Sequence, residues 1–132
     1  MTLLRTESVH PLHGQVQFGD ALAEDYPQWE TGEETAVFDA HTIVVATRGD
    51  EAGDVRVEIW IEPTEEELEG LEILDTEVQL VGDMAQFGNF VAGQLFDVDL
   101  NRGWYGVRVL VAPTDAEPSL VRFIVKPSDP RS

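Results

Sequence analysis

The 132-residue sequence contains no cysteine, which excludes disulfides, thiolate metal sites and cysteine nucleophiles. A chain of this length can still bury a core without covalent cross-links, because it has a common size for a single domain. We therefore expect one domain over residues 1–132, with a frayed tail at residues 127–132. The lack of cysteine also favours a reducing compartment, so we expect a cytoplasmic protein.

Long apolar runs are absent as well. No stretch of the chain approaches the roughly 18 apolar residues that a membrane helix needs. The first residues also lack the apolar stretch of a signal peptide, which spans about 7–15 residues. The sequence thus predicts a protein that neither spans a membrane nor carries an export signal.

Positive charge is scarce. Only 8 lysines and arginines stand against 26 aspartates and glutamates, which gives a formal net charge of −18. Nucleic-acid binding depends on neutralising phosphates with cations, so we expect no binding to nucleic acid or to anionic membranes. The acidity has two interpretations: a solubility or salt-adaptation trait, or electrostatic steering toward a basic partner protein.

The sequence also lacks the short motifs of catalysis and cofactor binding, such as G-x-S-x-G, the P-loop and G-x-G-x-x-G. Residues 97–101 begin like a calcium loop, but Arg102 and Arg108 occupy the sixth and twelfth positions, where that motif needs glycine and glutamate. His10 and His13 flank a proline and have no defined third metal ligand. We predict no enzyme activity, no metal and no cofactor.

The pattern that the sequence does show is a period of two, which is typical of strands with one buried face. Residues 54–61 are the clearest case, and residues 74–80, 96–100 and 105–111 repeat the alternation. Two further runs, residues 42–47 and 120–125, are apolar at nearly every position, as in central strands or strands that switch sheets. This spacing predicts an all-β fold, an antiparallel β-sandwich of about 7–9 strands.

Turn residues separate these runs. The glycine-rich segment 48–53, which begins with Arg48-Gly49-Asp50, is interpreted as a hairpin turn, and residues 101–103 as a second tight connection. Thr64 to Glu67 fits a capping box closed by Gly70, so we expect one short helical turn in a loop. Residues 20–34 are expected to form a long loop.

Trp60 falls on the polar side of its strand, beside Arg56 and Glu58, which is unusual for so large an apolar side chain. If it is exposed, these three residues could form a small-ligand or carbohydrate-binding site, with the ring stacked on a sugar. The other interpretation, which we favour, is that the 20–34 loop folds over Trp60 and buries it.

Two acidic clusters are candidate partner-binding sites because they concentrate charge outside the core pattern: Glu65, Glu66 and Glu67, and the pair Asp97 and Asp99. The simpler interpretation of the glutamates is a solvated face. Paired carboxylates alone do not indicate acid–base catalysis in a chain with so many of them.

Two segments carry a family resemblance. Residues 13–21 (HGQVQFGDA) lead through a tryptophan-containing loop toward a β-hairpin, and residues 96–109 read FDVDLNRGWYGVRV. This layout resembles small, mostly uncharacterised bacterial β-sandwich proteins in which a D-L-P-x-G-x-Y-x-V-R segment precedes the penultimate strand. It is also distantly similar to the competence protein J family, which are inhibitors of a DNA-entry nuclease. The resemblance implies a sandwich and suggests an inhibitor role.

These observations favour a non-catalytic interaction protein, an inhibitor or immunity-type protein whose acidic surface meets a basic partner such as a nuclease. An inhibitor of a cationic nuclease needs a negative surface, because it competes with a polyanion for the same groove. The alternative is a small-ligand or carbohydrate-binding module that uses Trp60, Arg56 and Glu58.

Overall fold

The computed structural model describes residues 2–23, 27–31, 34–61, 70–112 and 118–128. Within these ranges the chain forms ten strands and two short 3-10 turns, at Leu12–Gly14 and Asp50–Ala52. The strands are β1 Thr2–Val9, β2 Gln15–Asp20, β3 Ala36–Phe38, β4 Thr42–Ala46, β5 Val55–Ile61, β6 Leu71–Leu80, β7 Ala85–Asn89, β8 Gln94–Val98, β9 Gly103–Val111 and β10 Leu120–Pro127.

The strands make two five-stranded sheets that share one core. Sheet A has the order β1-β5-β10-β9-β6, and sheet B has the order β3-β4-β2-β7-β8. Neighbouring strands are antiparallel except β5 and β10, which are parallel. The predicted all-β sandwich is confirmed, with ten strands in the described ranges, one more than the upper end of the expected number.

Alternation of apolar and polar residues determines which side chains enter the core. In β5, Val55, Val57 and Ile59 are fully buried, whereas Arg56 between them is exposed. The nearly continuous apolar run at 120–125 forms β10, the central strand of sheet A, as its composition predicts. Burying apolar surface contributes about 25 cal/mol per Å², so these inward positions are the main source of the fold's stability.

Strand β1 is different, because two of its inward positions are polar. Arg5 and Glu7 pair in the sheet with the buried residues Ile59 and Val57. They form an ion pair of 2.9 Å, and the Arg5 guanidinium lies 5.2 Å from the centre of the Phe96 ring. Arg5 also donates to the backbone oxygen of Asp97 at 2.9 Å. This side of the sandwich, between β1 and β8, is therefore closed by a cation–aromatic contact.

The hairpin predicted at residues 48–53 is wrong. Strand β4 belongs to sheet B and β5 to sheet A, so this segment crosses from one sheet to the other. Both neighbour positions of β4 are already occupied, by β3 and β2. The connection at 101–103 likewise passes from β8 in sheet B to β9 in sheet A. Turn residues predict that the chain reverses, but they do not predict which sheet receives the next strand.

The chain beyond the core strands is described in part. The expected helical turn at Thr64 to Glu67 lies outside the described residues. At the stretch expected to be a frayed tail, β10 continues to Pro127, and the Ser128 amide donates to the Trp104 backbone oxygen at 2.9 Å. Residues 129–132 lie outside the described part of the chain.

Candidate functional site

Trp60 lies on the outer face of sheet A, between inward-pointing Ile59 and Ile61, and is partly buried. Its indole nitrogen donates to Glu58 at 2.9 Å, and Glu58 also accepts a hydrogen bond from Arg122 at 2.8 Å. Partial burial opposes ionisation of Glu58, but the hydrogen bonds from Arg122 and Trp60 outweigh it and hold its pKa below the ordinary value. The polar groups around Trp60 are thus engaged with one another.

The expectation that the 20–34 loop covers Trp60 is wrong for the loop residues that the structure describes. Trp29, in the middle of this loop, donates its indole N–H to the side chain of Gln15 in β2 at 3.1 Å. Gln15 points outward from sheet B, because its neighbour Val16 is in the core. The loop therefore lies over sheet B, on the opposite face of the sandwich from Trp60.

The two acidic clusters have different outcomes. Glu65, Glu66 and Glu67 lie outside the described residues. Asp97 and Asp99 are exposed on either side of buried Val98, near the end of β8, an edge strand of sheet B. Asp97 accepts a hydrogen bond of 2.9 Å from the Gln86 side chain on β7. These two carboxylates therefore contribute negative charge to one border of sheet B.

Charge is divided unequally between the two sheets. All five strands of sheet B fall within residues 6–47 and 57–101, and neither stretch contains a lysine or an arginine. The outward positions of sheet A instead hold equal numbers of positive and negative side chains. The cations are Arg56, Arg108, Arg122 and Lys126, and the carboxylates are Glu58, Glu72, Asp75 and Glu77. The charges at the outward positions of sheet A are thus balanced, whereas the strands of sheet B contain no cation.

The loop between β2 and β3 has to run along the length of sheet B. Strand β2 ends at one end of the sheet, where Asp20 pairs with Ala85. Strand β3 begins toward the opposite end, where Ala36 pairs with Val45. The hydrogen bond from Trp29 to Gln15 holds this loop against the sheet, and Val44, an outward residue of β4, is only 2% exposed.

Hydrogen bonds also hold the turn between β7 and β8 against sheet B, on the side that the β2–β3 loop covers. Asn89 is fully buried and donates to the backbone oxygens of Leu12 and Gln15 at 2.9 and 2.8 Å. Its side-chain oxygen accepts the Ala92 amide at 2.8 Å. The next residue, Phe90, donates its amide to the side chain of Gln17 at 2.7 Å. Buried amide side chains therefore determine where Phe90 lies.

Two adjacent clefts lie between the loop and sheet B, and we call them together the sheet B groove. The first has a volume of about 300 Å³ and a largely apolar lining that includes Trp29, Val44, Phe90 and Val91. The second, of about 430 Å³, shares Pro27 and Gln28 with the first and extends along β3. The groove therefore has an apolar part and a part that follows an edge strand.

The part beside β3 is acidic, since Glu30, Glu34 and Asp39 line it together with Val37 and Phe38. Glu34 accepts hydrogen bonds from the hydroxyl and the backbone amide of Thr31, and these lower its pKa below the ordinary value. Asp39 accepts the backbone amides of His41 and Thr42, each at 2.8 Å. The carboxylates of Glu34 and Asp39 are thus fixed in position before any partner binds.

Sequence reasoning did not single out this groove. Its residues are dispersed over the β2–β3 loop, three strands and the β7–β8 turn, so no local motif marks it. One signal was present: the long stretches without a cation, residues 6–47 and 57–101, predict acidic surfaces wherever they fold. Nothing in the sequence showed that every strand of sheet B would come from these stretches, which also supply β6 and most of β5 of sheet A.

The segment that carries the family resemblance spans β8, the crossing to sheet A and most of β9. The Arg102 amide donates to Asp83 at 2.9 Å, and their side chains pair at 3.3 Å. The Tyr105 hydroxyl donates to the Asn101 backbone oxygen at 2.7 Å, and burial raises the pKa of that hydroxyl. These contacts fix the connection between the sheets, which is a structural role.

Among the described residues, no group of three or more histidines, aspartates or glutamates is arranged to hold a metal ion. In the same part of the chain, no helix is both long and apolar enough to cross a membrane.

The fold and the groove define a class: a β-sandwich, with ten strands in the described ranges, that presents a preformed groove lined in part by carboxylates. Of the proteins with solved structures, ComJ, the inhibitor of the DNA-degrading activity of NucA from Bacillus subtilis, is similar to this chain. The likeness has a TM-score of 0.77, covers 96% of this chain and 98% of ComJ, and comes with 10% sequence identity. The resemblance noted in the sequence is thereby confirmed for the fold. No protein-family model and no curated protein matches the sequence.

Proposed function

We propose that this protein is a non-catalytic inhibitor-type protein that binds a basic partner protein, such as a nuclease. The observation that carries the proposal is the charge on the sheet B side, because its strands contain no lysine or arginine and Glu30, Glu34 and Asp39 line the groove beside β3. A nuclease binds the phosphates of DNA with cations, so a protein that blocks its groove needs a surface of negative charge. Such a surface also accelerates association with a basic partner.

The fold supports the same function. ComJ, which has this fold, inhibits the DNA-degrading activity of NucA. A protein that acts in this way needs no catalytic group of its own, in agreement with the lack of catalytic motifs in the sequence. A cytoplasmic location, favoured by the lack of cysteine, is part of the proposal.

The carbohydrate-binding alternative at Trp60 has no comparable support. A sugar site needs polar groups that are free to orient the hydroxyls beside the aromatic ring. Here the Trp60 indole nitrogen and the Arg122 guanidinium both bond to Glu58, and Arg56 bonds to the Thr6 hydroxyl at 3.3 Å. These groups stabilise the strand surface, so the proposal assigns recognition to sheet B.

The test is to recover the partner and measure its activity. The immobilised protein is used to capture partners from a lysate of the cells that encode it, and the purified partner is assayed for degradation of a fluorescent DNA duplex. We expect a basic partner whose DNA degradation falls as the protein is added, and whose binding to the protein is competed by DNA. A neutral or acidic partner, or a nuclease whose rate is unchanged, would contradict the proposal.

A further inference from the structure

The sheet B groove combines features that point to one kind of occupant. We propose that it is the docking site for an extended segment of the partner that carries an arginine or lysine two positions from an apolar residue, so that both side chains lie on the same face of the segment. This inference rests on the proposed function, because it names the surface through which the basic partner is recognised. Three independent properties of the groove carry it: exposed aromatic surface, fixed negative charge and an open strand edge.

The apolar part offers contact surface that is both exposed and held in place. Phe90 and Val91 are 39% and 55% exposed, although they are large apolar residues. Trp29 is anchored by its hydrogen bond to Gln15, and the Phe90 backbone by its bond to Gln17. Tryptophan is enriched among the residues that dominate binding energy at interfaces, and a preorganised surface loses little entropy on binding. This part fits an apolar side chain of the partner.

The acidic part offers charge complementarity. Three carboxylates line it, Glu30, Glu34 and Asp39, and none of its lining residues is a lysine or arginine. Thr31 donates two hydrogen bonds to Glu34, which orient the carboxylate and lower its pKa below the ordinary value. A guanidinium or ammonium group that enters here meets oriented carboxylates, and such charge-assisted hydrogen bonds are stronger than neutral ones. This part therefore fits a basic side chain.

The edge strand determines the form of the occupant. Strand β3 is at the end of sheet B and pairs only with β4 among the described strands. Phe38, at the end of β3, is 50% exposed, and the acidic cleft runs along residues 36–39. An edge strand can add a further strand from a partner by main-chain hydrogen bonds, with alternate side chains entering pockets. An extended segment could in this way place a basic and an apolar side chain in the two parts of the groove.

A neutral sugar is the competing occupant, because a tryptophan ring offers an apolar face for stacking and the neighbouring glutamines offer polar groups. In this groove the side-chain oxygens of Gln15 and Gln17 are already bonded to Trp29 and Phe90. The rest of the polar lining is largely acidic. These observations favour a cation over a neutral hydroxylated ligand.

The first experiment uses the three indole N–H signals in the nitrogen–proton NMR spectrum, assigned with Trp29→Phe, Trp60→Phe and Trp104→Phe variants. The wild-type protein is titrated at low salt with acetyl-Arg-Thr-Leu-Thr-Arg-amide, whose leucine and arginines share one face when the peptide is extended, up to millimolar concentration. We expect a saturable shift of the Trp29 signal that salt weakens, with little change at Trp60 and Trp104 on sheet A. An unmoved Trp29 signal, or equal shifts of all three, overturns the proposal.

Two control titrations make the result specific. Acetyl-Glu-Thr-Leu-Thr-Glu-amide has the same length and the same leucine but the opposite charge, and we expect no shift with it. Cellotriose tests the sugar alternative, and a Trp29 shift with cellotriose but not with the basic peptide would overturn the proposal in favour of carbohydrate binding.

The second experiment uses matched pairs of variants and the recovered partner. Glu30→Lys in the groove is compared with Asp75→Lys on sheet A, since both residues are exposed and the charge change is identical. Val91→Ser is compared with Val81→Ser at the opposite end of the sandwich, since these valines are 55% and 54% exposed. We expect each groove variant to weaken binding at least about fivefold and each control less than about twofold.

The outcomes separate this inference from the proposed function. If wild-type protein inhibits a basic nuclease and the groove variants bind it as tightly as their controls, the groove is wrong and the function stands. If wild-type protein neither binds a basic partner nor inhibits one, the proposed function is wrong. Thermal melts of Glu30→Lys, Val91→Ser and Val81→Ser should match the wild type, because these side chains are exposed. Asp75→Lys places a second cation opposite Arg108, so its binding is measured at a temperature well below its own melting temperature.

Discussion

The rings of Phe18 and Phe123 stack across the interior of the sandwich, with centroids 5.2 Å apart and planes inclined by 25°. Phe18 belongs to β2, the central strand of sheet B, and Phe123 to β10, the central strand of sheet A. Both side chains are almost completely buried. This contact therefore joins the two sheets at the middle of each.

Replacing Phe123 by alanine should lower the free energy of unfolding by about 3–5 kcal/mol, the usual cost of removing a buried phenylalanine. Phe123→Leu should cost less, because it retains more of the volume. Urea denaturation of both variants, of Phe18→Leu and of the double leucine variant gives a cycle. We expect a coupling of about 0.5–1.5 kcal/mol from the stacked rings. Additive effects would show that the stacking contributes nothing beyond burial.

Asn89 should be essential for stability because it is buried and makes three hydrogen bonds to backbone groups. Asn89→Ala leaves the oxygens of Leu12 and Gln15 without their donor, at a cost of about 1–3 kcal/mol for each unsatisfied group. Asn89→Asp should be worse at neutral pH, since it directs a carboxylate at two carbonyl oxygens, and should recover on acidification. The exposed Asn101→Ala is the control. Equal melting temperatures for Asn89→Ala and Asn101→Ala would contradict this role.

The pKa of Glu58 lies below its ordinary value of 4.5, so its ionised form is stabilised in the folded protein. A depressed pKa contributes stability above the unfolded value, and this contribution is lost as the pH falls through the folded value. Wild-type protein should therefore exceed Glu58→Gln by about 1–3 kcal/mol at pH 7, with a difference that shrinks below pH of about 4.5. Chemical denaturation over this pH range measures it.

Glu72→Gln is the control for Glu58, because its pair with Arg108 is longer, at 3.6 Å, and more exposed. That substitution should cost less than about 1 kcal/mol at neutral pH. A difference between wild type and Glu58→Gln that stays constant from pH 7 to 3 would contradict the role assigned to the Glu58 charge.

Gly88 should tolerate no side chain. Its φ is +140°, and a Cβ there would overlap the backbone oxygen of Gln94 on the paired strand. Gly88→Ala should therefore destabilise the protein by at least about 2 kcal/mol. Gly49 has open space around its Cβ position and no positive φ, so Gly49→Ala should be neutral or stabilising by up to about 1 kcal/mol. Comparable melting temperatures for the two variants would show that β8 can move away.

Reversing the charge of Asp97 and Asp99 to lysine should slow association with a basic partner. Both residues are exposed on sheet B's border, so they act through the long-range field, which is screened over about 10 Å at 0.1 M salt. We expect an on-rate roughly tenfold lower and an off-rate that changes less. The control has the same charge change on sheet A, at Glu72 and Asp75. Glu65, Glu66 and Glu67 stay candidates for the same test. If the on-rate does not depend on salt concentration, electrostatic steering is wrong, and the net charge of −18 is a solubility trait.

Most strands that the sequence predicted have inward and outward residues of different polarity, such as β5, where Val57 and Ile59 enclose Glu58, and β4 and β10 were predicted from nearly continuous apolar runs. Strand β1 was not predicted, because two of its inward positions are the charged residues Arg5 and Glu7. These residues lie at the side of the sandwich between β1 and β8, and they interrupt the alternation of apolar and polar residues. Strand β7 includes Gly88 and buried Asn89, two residues that usually indicate a turn. Tertiary contacts, which local sequence does not contain, stabilise both.

The candidate site was less predictable than the fold. Trp60 was a candidate ligand-binding residue because it interrupts the polar face of its strand, but its indole nitrogen donates a hydrogen bond to Glu58 in the same strand. Trp29 lies in a segment without any periodicity, and only the crossing of the loop over sheet B brings it to Gln15. The division of charge between the sheets could not be predicted without knowing the order of the strands, because β2, β4 and β7 are neighbours in sheet B but come from separate parts of the sequence.

The position of β10 has a consequence for synthesis of the chain. This strand includes residues 120–127, yet it fills the middle of sheet A between β5 and β9. Until it leaves the ribosome, β1 and β5 have no hydrogen-bonded connection to β9 and β6 within their sheet. The half-made chain thus exposes strand edges on both sides of a gap, which are templates for aggregation. The formal net charge of −18 makes copies of the chain repel one another, which opposes such aggregation during synthesis.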